Sequence, residues 1–207
     1  MNYLIDIRNK AVHSKDYISP EEFETILSAC YYQRDRLFLE MIWFAGMTSL
    51  EIAAVRIENI DFDAKTLKVV YHKPYKNIYV HYTECRVIHL CDRLVNEIGS
   101  YLENLSPPPK SGYLFHNMAK KNKEEEPISP YDFITALNRF PTRFDRTKFK
   151  KQLTVSGLLK GRAVQMIDSG APMIDICRFF GTESLDQCGI FGHKTAGALD
   201  FYGTIEE

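Results

Sequence analysis

The chain has few of the features that would indicate a metal centre, a disulfide framework or a membrane span. Its 207 residues include five cysteines and no C-x-x-C pair, so neither a zinc site nor a set of disulfides is indicated. No apolar run approaches the roughly 18 residues that a membrane-spanning helix needs, and no apolar signal region stands at the N-terminus. We therefore expect a protein of the cytoplasm that has no membrane association and binds no metal ion.

Motifs of several large enzyme classes are also missing. The sequence contains no G-x-x-x-x-G-K-[ST] phosphate loop, no G-x-S-x-G elbow, no H-E-x-x-H helix and no dinucleotide-binding fingerprint, and each of these would be needed for its particular chemistry. The six histidines show no ligand spacing. We expect no cofactor and no small-molecule substrate.

Neither sign of charge is in excess, since 26 lysines and arginines face 27 acidic residues, a net charge of −1. A typical DNA-binding domain is clearly basic, so the overall charge counts against strong non-specific binding to DNA. Residues 141–162 differ, because they hold seven basic residues against Asp145, a local excess of six. The basic residues are Arg143, Arg146, Lys148, Lys150, Lys151, Lys160 and Arg162. Such a segment suits a surface that follows DNA phosphates, whereas the alternative is a solvated loop.

Local patterns predict a mainly α-helical fold with a small antiparallel β-sheet. Ser19 supplies an N-cap, Pro20 a first-turn proline and Glu22 a capping-box carboxylate, which predicts a helix to about Cys30. Residues 34–45 are apolar on most sides and predict a buried helix. The hydrophobic content of 45% is enough for one compact core.

Later segments predict a hairpin followed by more helices. The alternating runs LKVVYH and IYVHY lie on either side of a turn at 74–77 and predict two paired strands. Ser49 is a candidate cap for a short helix, and residues 86–105 have helical spacing up to three prolines at 107–109. Ser129-Pro130 predicts another helix start. Gly170 predicts a helix end, and 172–180 a short helix closed by Gly181.

The run AGMTSLEI at 45–52 resembles the G-x-R-x-S-E-I run of the tyrosine recombinase, or phage integrase, family. Gly46, Glu51 and Ile52 match, while Thr48 stands where the family has a catalytic arginine. The segment VRIENIDFDAKTLKVVYH is similar to the family's L-R-x-x-D-I-D lead into a hairpin. The tail GALDFYG is similar to the ending of the short fimbrial phase-switch recombinases, the closest subgroup.

This resemblance covers nearly the whole chain and implies its organisation. Residues 18–207 are expected to form a tyrosine-recombinase-like catalytic domain of mixed α and β structure. Residues 1–17 are expected to be an N-terminal segment, without the N-terminal core-binding domain of full-length family members.

The resemblance also implies that the catalytic positions carry other residues. Counting from Gly170 places the H-x-L-R-H box on SGLLK at 156–160, the histidine of L-G-H on residue 182 and the nucleophilic tyrosine on residue 191. The six positions are occupied by Thr48, Ser156, Leu159, Lys160, Thr182 and Phe191. Phenylalanine has no oxygen with which to attack phosphorus, and threonine or leucine cannot supply the charge of an arginine. The resemblance therefore implies a pseudoenzyme.

One catalytic position of the family has a candidate in the hairpin, where a lysine protonates the leaving 5′-oxygen. Lys73 and Lys76 both fit, and either can equally be a solvated turn lysine. An active enzyme would instead need displaced residues such as Arg162 and Tyr202. Tyr202 matches the tyrosine of the family's own tail, and His193 lies two residues from the nucleophile position, so we assign neither a catalytic role.

Two functions remain open. In the first, the protein binds duplex DNA without cutting it and acts as a regulator or accessory factor in DNA recombination or transcription. In the second, it is a protein-interaction module that binds or inhibits an active recombinase without contacting DNA. Family members exchange a C-terminal segment between protomers, so the residues after Phe191 would serve a homo-oligomer or a partner recombinase.

Overall fold

The structure is a computed structural model that describes residues 2–74, 81–105, 107–116, 127–133, 135, 137, 151, 153–182 and 185. The helices are α1 (Asn2–Val12), α2 (Pro20–Ser28), α3 (Gln33–Ala45), α4 (Ser49–Ala53), α5 (Asp92–Glu103), α6 (described over 130–133), α7 (Val155–Asp168) and α8 (Met173–Phe180). A 3-10 turn, Ile57–Asn59, leads into the sheet. The mainly α-helical fold class with a small sheet is confirmed.

The sheet contains three antiparallel strands in the order β1 (Ile60–Asp61), β2 (Thr66–Pro74) and β3 (His81–His89). The pairing of β2 with β3 runs from Thr66 opposite His89 to Pro74 opposite His81. Leu67, Val69 and Ile88 point into the core, and the residues between them face outward. One face of the sheet therefore packs on the helices and the other remains exposed.

The helical core is centred on α3, which follows the sequence prediction for residues 34–45. Trp43 of α3 stacks on Phe23 of α2 with ring centroids 4.2 Å apart, and Phe38 stacks on Phe133 at 4.0 Å. All four rings are at most 2% exposed. The packing of these aromatic side chains fixes α2 and α6 against α3.

Two local predictions are confirmed in detail. Ser19 caps α2 through a complete capping box with Glu22, and Pro20 is the first helical residue. Gly170 (φ 80°) lies just past the end of α7, and Gly181 (φ 62°) ends α8 in a left-handed conformation. Glycine is suited to both helix ends because it has no side chain to clash at positive φ.

The helix predicted over 86–105 is wrong at its start. Residues up to His89 belong to β3, and α5 begins only at Asp92. Alternating exposure of Val87 and burial of Ile88 shows the strand period. Pairing with β2 gives this stretch its backbone hydrogen bonds, and this tertiary contact overrides the helical spacing of the apolar residues.

The first 17 residues contain a helix that the sequence did not predict. Ile7 and Ala11 of α1 are each 1% exposed, and α1 packs on α7. Arg8 pairs with Asp168 at the end of α7. The N-terminal segment is therefore part of the same core as the helices that follow it.

Two glycines of α7 allow the segment before α2 to pass against this helix. A Cβ atom at Gly157 would lie 1.9 Å from the carbonyl oxygen of Asp16, and one at Gly161 would lie 2.0 Å from that of Ile18. Both distances are far inside van der Waals contact. The residues at 157 and 161 must therefore lack a side chain.

Two features are absent from the residues that the structure describes. No helix there combines the length and the apolar character needed to cross a bilayer. No three His, Cys, Asp or Glu side chains of those residues come close enough together to hold a metal ion.

The close approach at α7 gives a test of the packing. We expect Gly161→Ala to lower the free energy of unfolding by about 1–3 kcal/mol, because overpacking outweighs the better helix propensity of alanine. The matched control is Gly99→Ala in α5, where no atom lies within 4 Å of the added Cβ. That change should stabilise the protein by about 0.5–1 kcal/mol. Urea unfolding measures both, and a Gly161→Ala variant as stable as Gly99→Ala would contradict the packing.

Candidate functional site

The guanidinium of Arg86 joins three parts of the fold. From β3 it donates through Nε to Glu51 Oε1 of α4 at 2.5 Å. Its Nη1 donates to the carbonyl oxygen of Phe179 in α8 at 3.0 Å, and its Nη2 to that of Gly46 at 3.1 Å. The side chains of Arg86 and Glu51 are 13% and 5% exposed. Each nitrogen of the guanidinium therefore has an acceptor within the protein.

Glycine at two helix ends makes room for this contact. Gly46 ends α3 at φ 62°, and a Cβ there would lie 2.8 Å from the carbonyl oxygen of Phe179. At Gly181 a Cβ would lie 2.9 Å from Arg86 Cδ. The run of residues 46–51 and the end of α8 therefore meet around Arg86.

Thr48 is the N-cap of α4. Its hydroxyl accepts from the backbone N–H of Glu51 at 3.3 Å and donates to Glu51 Oε2 at 2.9 Å, and its own N–H donates to the same oxygen at 2.7 Å. One carboxylate oxygen of Glu51 thus accepts a hydrogen bond from Arg86, and the other accepts hydrogen bonds from Thr48. The prediction that Ser49 caps this helix is wrong, since Ser49 is its first residue.

The sequence did contain a signal for this cap. Thr48 and Glu51 have the T-x-x-E spacing of a capping box. A capping box provides acceptors for two backbone N–H groups, whereas Ser49 alone would provide an acceptor for only one. Arg86 had no such signal, because its three acceptors lie 35, 40 and 93 residues away along the chain. Only the folded structure brings them together.

The SGLLK box lies on the first turns of α7. Leu159 is 5% exposed and packs in the hydrophobic core, and Ser156 is half-buried. Thr182 follows the glycine that ends α8 and is half-buried, with its N–H bonded to the carbonyl oxygen of Cys177 at 2.9 Å. The box and the end of α8 therefore belong to adjoining helices.

Two lysines of the basic segment are paired with acidic residues. Lys151 donates to Glu22 Oε2 at 2.8 Å and to the carbonyl oxygen of Tyr17 at 2.9 Å. Lys160 donates to Asp16 Oδ1 at 2.6 Å, and its side chain is 13% exposed. These contacts neutralise part of the charge of the basic segment.

The carboxyl of Asp16 reflects this pairing. Burial alone would raise its pKa, but hydrogen bonds from Lys160 and Thr154 outweigh burial and hold the pKa of Asp16 below its ordinary value. Asp16 therefore remains ionised at neutral pH and keeps Lys160 directed toward the N-terminal segment.

Arg162 differs from these lysines. Its guanidinium lies 5.2 Å from the ring centre of Phe179 and 6.0 Å from that of Phe44, and Nη1 donates to Gln165 Oε1 at 2.7 Å. No carboxylate of the described residues lies within ion-pair distance of it. Burial lowers the pKa of Arg162, although an arginine remains charged at neutral pH. Arg162 therefore holds a half-buried positive charge between two aromatic rings.

The remaining predicted site residues lie outside the described part of the chain. They are Lys76, Arg143, Arg146, Lys148, Lys150, Phe191, His193 and Tyr202. Lys73 lies in β2, opposite Tyr82.

The fold is that of solved DNA recombinases. The crystal structure of XerA recombinase matches with a TM-score of 0.67 at 19% identity, covering 88% of this chain and 62% of that one. The Tn1549 transposon integrase in complex with a circular intermediate DNA gives 0.65 at 14% identity, covering 87% and 62%. XerH bound to its difH substrate gives 0.60 at 18% identity, covering 86% and 50%. At these low sequence identities, the structural similarity shows that the chains share a fold.

Residues 16–197 match the model of the phage integrase family, and the chain belongs to that family. The tyrosine recombinase XerA of Pyrococcus furiosus is 28% identical over 166 residues, which is 80% of this chain and 52% of that protein. A probable integrase/recombinase of Methanocaldococcus jannaschii is 22% identical over 170 residues, 81% and 48% of the two chains. The chain spans about half the length of these relatives.

The capping role of Thr48 is open to a direct test. We expect Thr48→Ala to lower the free energy of unfolding by about 1 kcal/mol, because the N–H of Glu51 loses its acceptor. Thr48→Ser keeps the hydroxyl and should retain most of the stability. Ser49→Ala is the matched control and should lie within about 0.5 kcal/mol of the wild type. Chemical denaturation measures the three variants, and an equal loss at 48 and 49 would argue against the cap.

Proposed function

We propose that the protein is a catalytically inactive member of the tyrosine recombinases, closest to the fimbrial phase-switch subgroup. In this proposal it binds duplex DNA in the cytoplasm and acts as a regulator or accessory factor in DNA recombination or transcription. It forms no covalent bond with DNA.

The observation that carries the proposal of inactivity is the environment of Thr48. The family resemblance places a phosphate-gripping arginine at this position. Here the side chain is neutral, and its hydroxyl and N–H are both used in capping α4. Removal of one such preorganised donor typically costs about 10²–10³ in rate. Leu159, at the second arginine position, is a core residue.

Arg86 does not substitute for the missing arginines. It is close to Gly46 and Gly181, but its three nitrogens are bonded to Glu51 and to two backbone carbonyls. Three of its five N–H donors are therefore used within the protein, and the carboxylate of Glu51 neutralises its charge, which makes it poorly suited to grip a DNA phosphate. Together with phenylalanine at residue 191, this supports loss of strand cleavage.

The support for DNA binding comes from the basic segment and from the similar structures. XerH was solved bound to its difH substrate and the Tn1549 integrase bound to DNA. In this chain, Arg162 has no ion-pair partner among the described residues. Four more basic residues lie at 143–150. Five such charges are enough for a measurable electrostatic interaction with duplex DNA.

The second candidate function has its own observation in its favour. Lys151 and Lys160 are bound to Glu22 and Asp16, and the chain as a whole has a net charge of −1. A fold with this charge balance suits a protein-interaction module that binds or inhibits an active recombinase through the segment after Phe191.

Binding of mixed-sequence duplex DNA across a salt series tests the proposal. With about five phosphate contacts we expect log K to fall with log [salt] with a slope of about −4 to −5 in fluorescence anisotropy. Arg146→Glu with Lys150→Glu should weaken binding and reduce the slope by about 2. Lys10→Glu with Lys15→Glu, an equal change of charge at exposed residues outside the segment, is the control. Absence of binding at low salt would favour the protein-interaction module.

The loss of cleavage has a separate test. We expect Phe191→Tyr to form no covalent adduct with a nicked duplex, because the neutral residues at positions 48, 159 and 182 leave the phosphate without stabilisation. Denaturing gel electrophoresis with labelled DNA detects such an adduct. Its appearance with this single variant would show that the rest of the catalytic site is functional.

A further inference from the structure

Arg162 of α7 has no counter-charge, unlike two arginines that contact the same aromatic residues. Arg86 is paired with the carboxylate of Glu51, and Arg93 donates through Nε and Nη2 to one oxygen of the buried Glu40, at 3.1 and 2.9 Å. Among the described residues, no carboxylate lies within ion-pair distance of Arg162, and burial lowers the pKa of its guanidinium. Charges that leave water are normally paired, because their desolvation is otherwise uncompensated. An anion at Arg162 would supply this compensation.

The hydrogen bonds of this guanidinium are also incomplete. Nη1 donates to Gln165 Oε1 at 2.7 Å. Nε is enclosed by the protein and donates to no acceptor in the described part of the chain, and Nη2 has no acceptor there either. Buried donors without a partner are rare in folded proteins, and a bound ion is one of the few explanations for them. Because Gln165 is uncharged, it orients the guanidinium of Arg162 without neutralising it.

Two aromatic rings hold the guanidinium in place. The ring centres of Phe179 and Phe44 lie 5.2 and 6.0 Å from its central carbon. Phe179 also accepts a hydrogen bond from Arg86 at its carbonyl oxygen, and its ring lies against Gly46, where an added Cβ would be 2.8 Å away. Aromatic faces attract a cation but carry no net charge, so they leave Arg162 unneutralised. The rings restrict its side chain and orient the guanidinium before any ligand binds.

The anion that suits this group best is a phosphate. A guanidinium forms strong, charge-assisted hydrogen bonds with phosphate oxygens. Arg162 also belongs to the basic segment of residues 141–162, whose excess of six positive charges favours a ligand with more charge than a single carboxylate. We propose that Arg162, held by Phe44, Phe179 and Gln165, is a preformed binding site for one phosphate group.

Two sources can supply this phosphate, namely the DNA backbone and a free phosphate ligand. Assignment to the DNA backbone rests on the proposed function, whereas the site itself does not depend on it. A half-buried charge is screened less by salt than the exposed lysines of a basic surface are. The site should therefore bind inorganic phosphate in the absence of DNA.

Thermal unfolding of the full chain in sodium phosphate, with ionic strength held constant by sodium chloride, tests the site. Phosphate at about ten times its Kd should raise the Tm of the wild type by about 3–6 °C. Phosphate also stabilises proteins by exclusion from their surface, so only the part of the shift that Arg162→Gln abolishes is assigned to the site. Arg162→Lys keeps the charge without the planar donors and should lose most of this part as well. The control is Arg178→Gln, at an arginine of α8 whose side chain is 74% exposed, and it should keep the whole shift.

Equal phosphate-dependent shifts in the wild type and in both Arg162 variants would overturn the proposal. A shift of the same size with sodium acetate would also overturn it, because the site would then accept any carboxylate.

Fluorescence anisotropy with duplex DNA identifies the source of the phosphate. Binding by Arg162→Gln that is about tenfold weaker than binding by Arg178→Gln would assign the phosphate to the DNA backbone. Equal DNA affinities, together with the phosphate-dependent shift of the wild type, would assign it to a free phosphate ligand. A wild type that binds phosphate but no DNA would reject the proposed function and retain the site, so the two proposals fail separately.

Discussion

The buried ion pair of Arg86 and Glu51 is the contact on which the arrangement of the candidate site depends. One strand and the ends of three helices converge on it, and every nitrogen of the guanidinium has an acceptor. Removing one partner of a buried pair typically costs about 3–5 kcal/mol, because the other charge is left uncompensated. The compensation here is complete, with Thr48 satisfying the second oxygen of Glu51. Stability and local geometry are therefore coupled around residues 46–51 and the end of α8.

This coupling explains how the family fold is kept with a threonine at residue 48. The carboxylate of Glu51 has its positive partner in Arg86, and the helix start has its cap in Thr48. Neither requires a bound phosphate. Because the charges of Arg86 and Glu51 balance each other, this pair gains little stability from binding an anion. The guanidinium of Arg162, which has no ion-pair partner among the described residues, still attracts an anion. The neutralised pair of Arg86 and Glu51 thus has a structural role, whereas the surface proposed to contact DNA keeps a positive charge.

Structural features that depend on residues close together in the chain could be predicted from the sequence. The Ser19 capping box and the glycines at 170 and 181 were predicted correctly because their partners lie within four residues. The start of α5 was missed because strand pairing decides the conformation of residues 86–89. At the site, the excess charge of residues 141–162 could be counted, but the pairing of Lys160 with Asp16 and of Lys151 with Glu22 spans 144 and 129 residues. Such distant pairs leave no pattern in a single sequence.

The packing of α1 on α7 has a consequence for synthesis of the chain. Ile7 and Ala11 bury against a helix that begins at Val155, and the backbone at Asp16 and Ile18 lies against its glycines. During synthesis α1 therefore cannot pack on α7 until α7, which begins at Val155, has also been made. Until then, the face of α1 that holds Ile7 and Ala11 is not covered by α7. The contact between α1 and α7 therefore forms late in the folding of these residues.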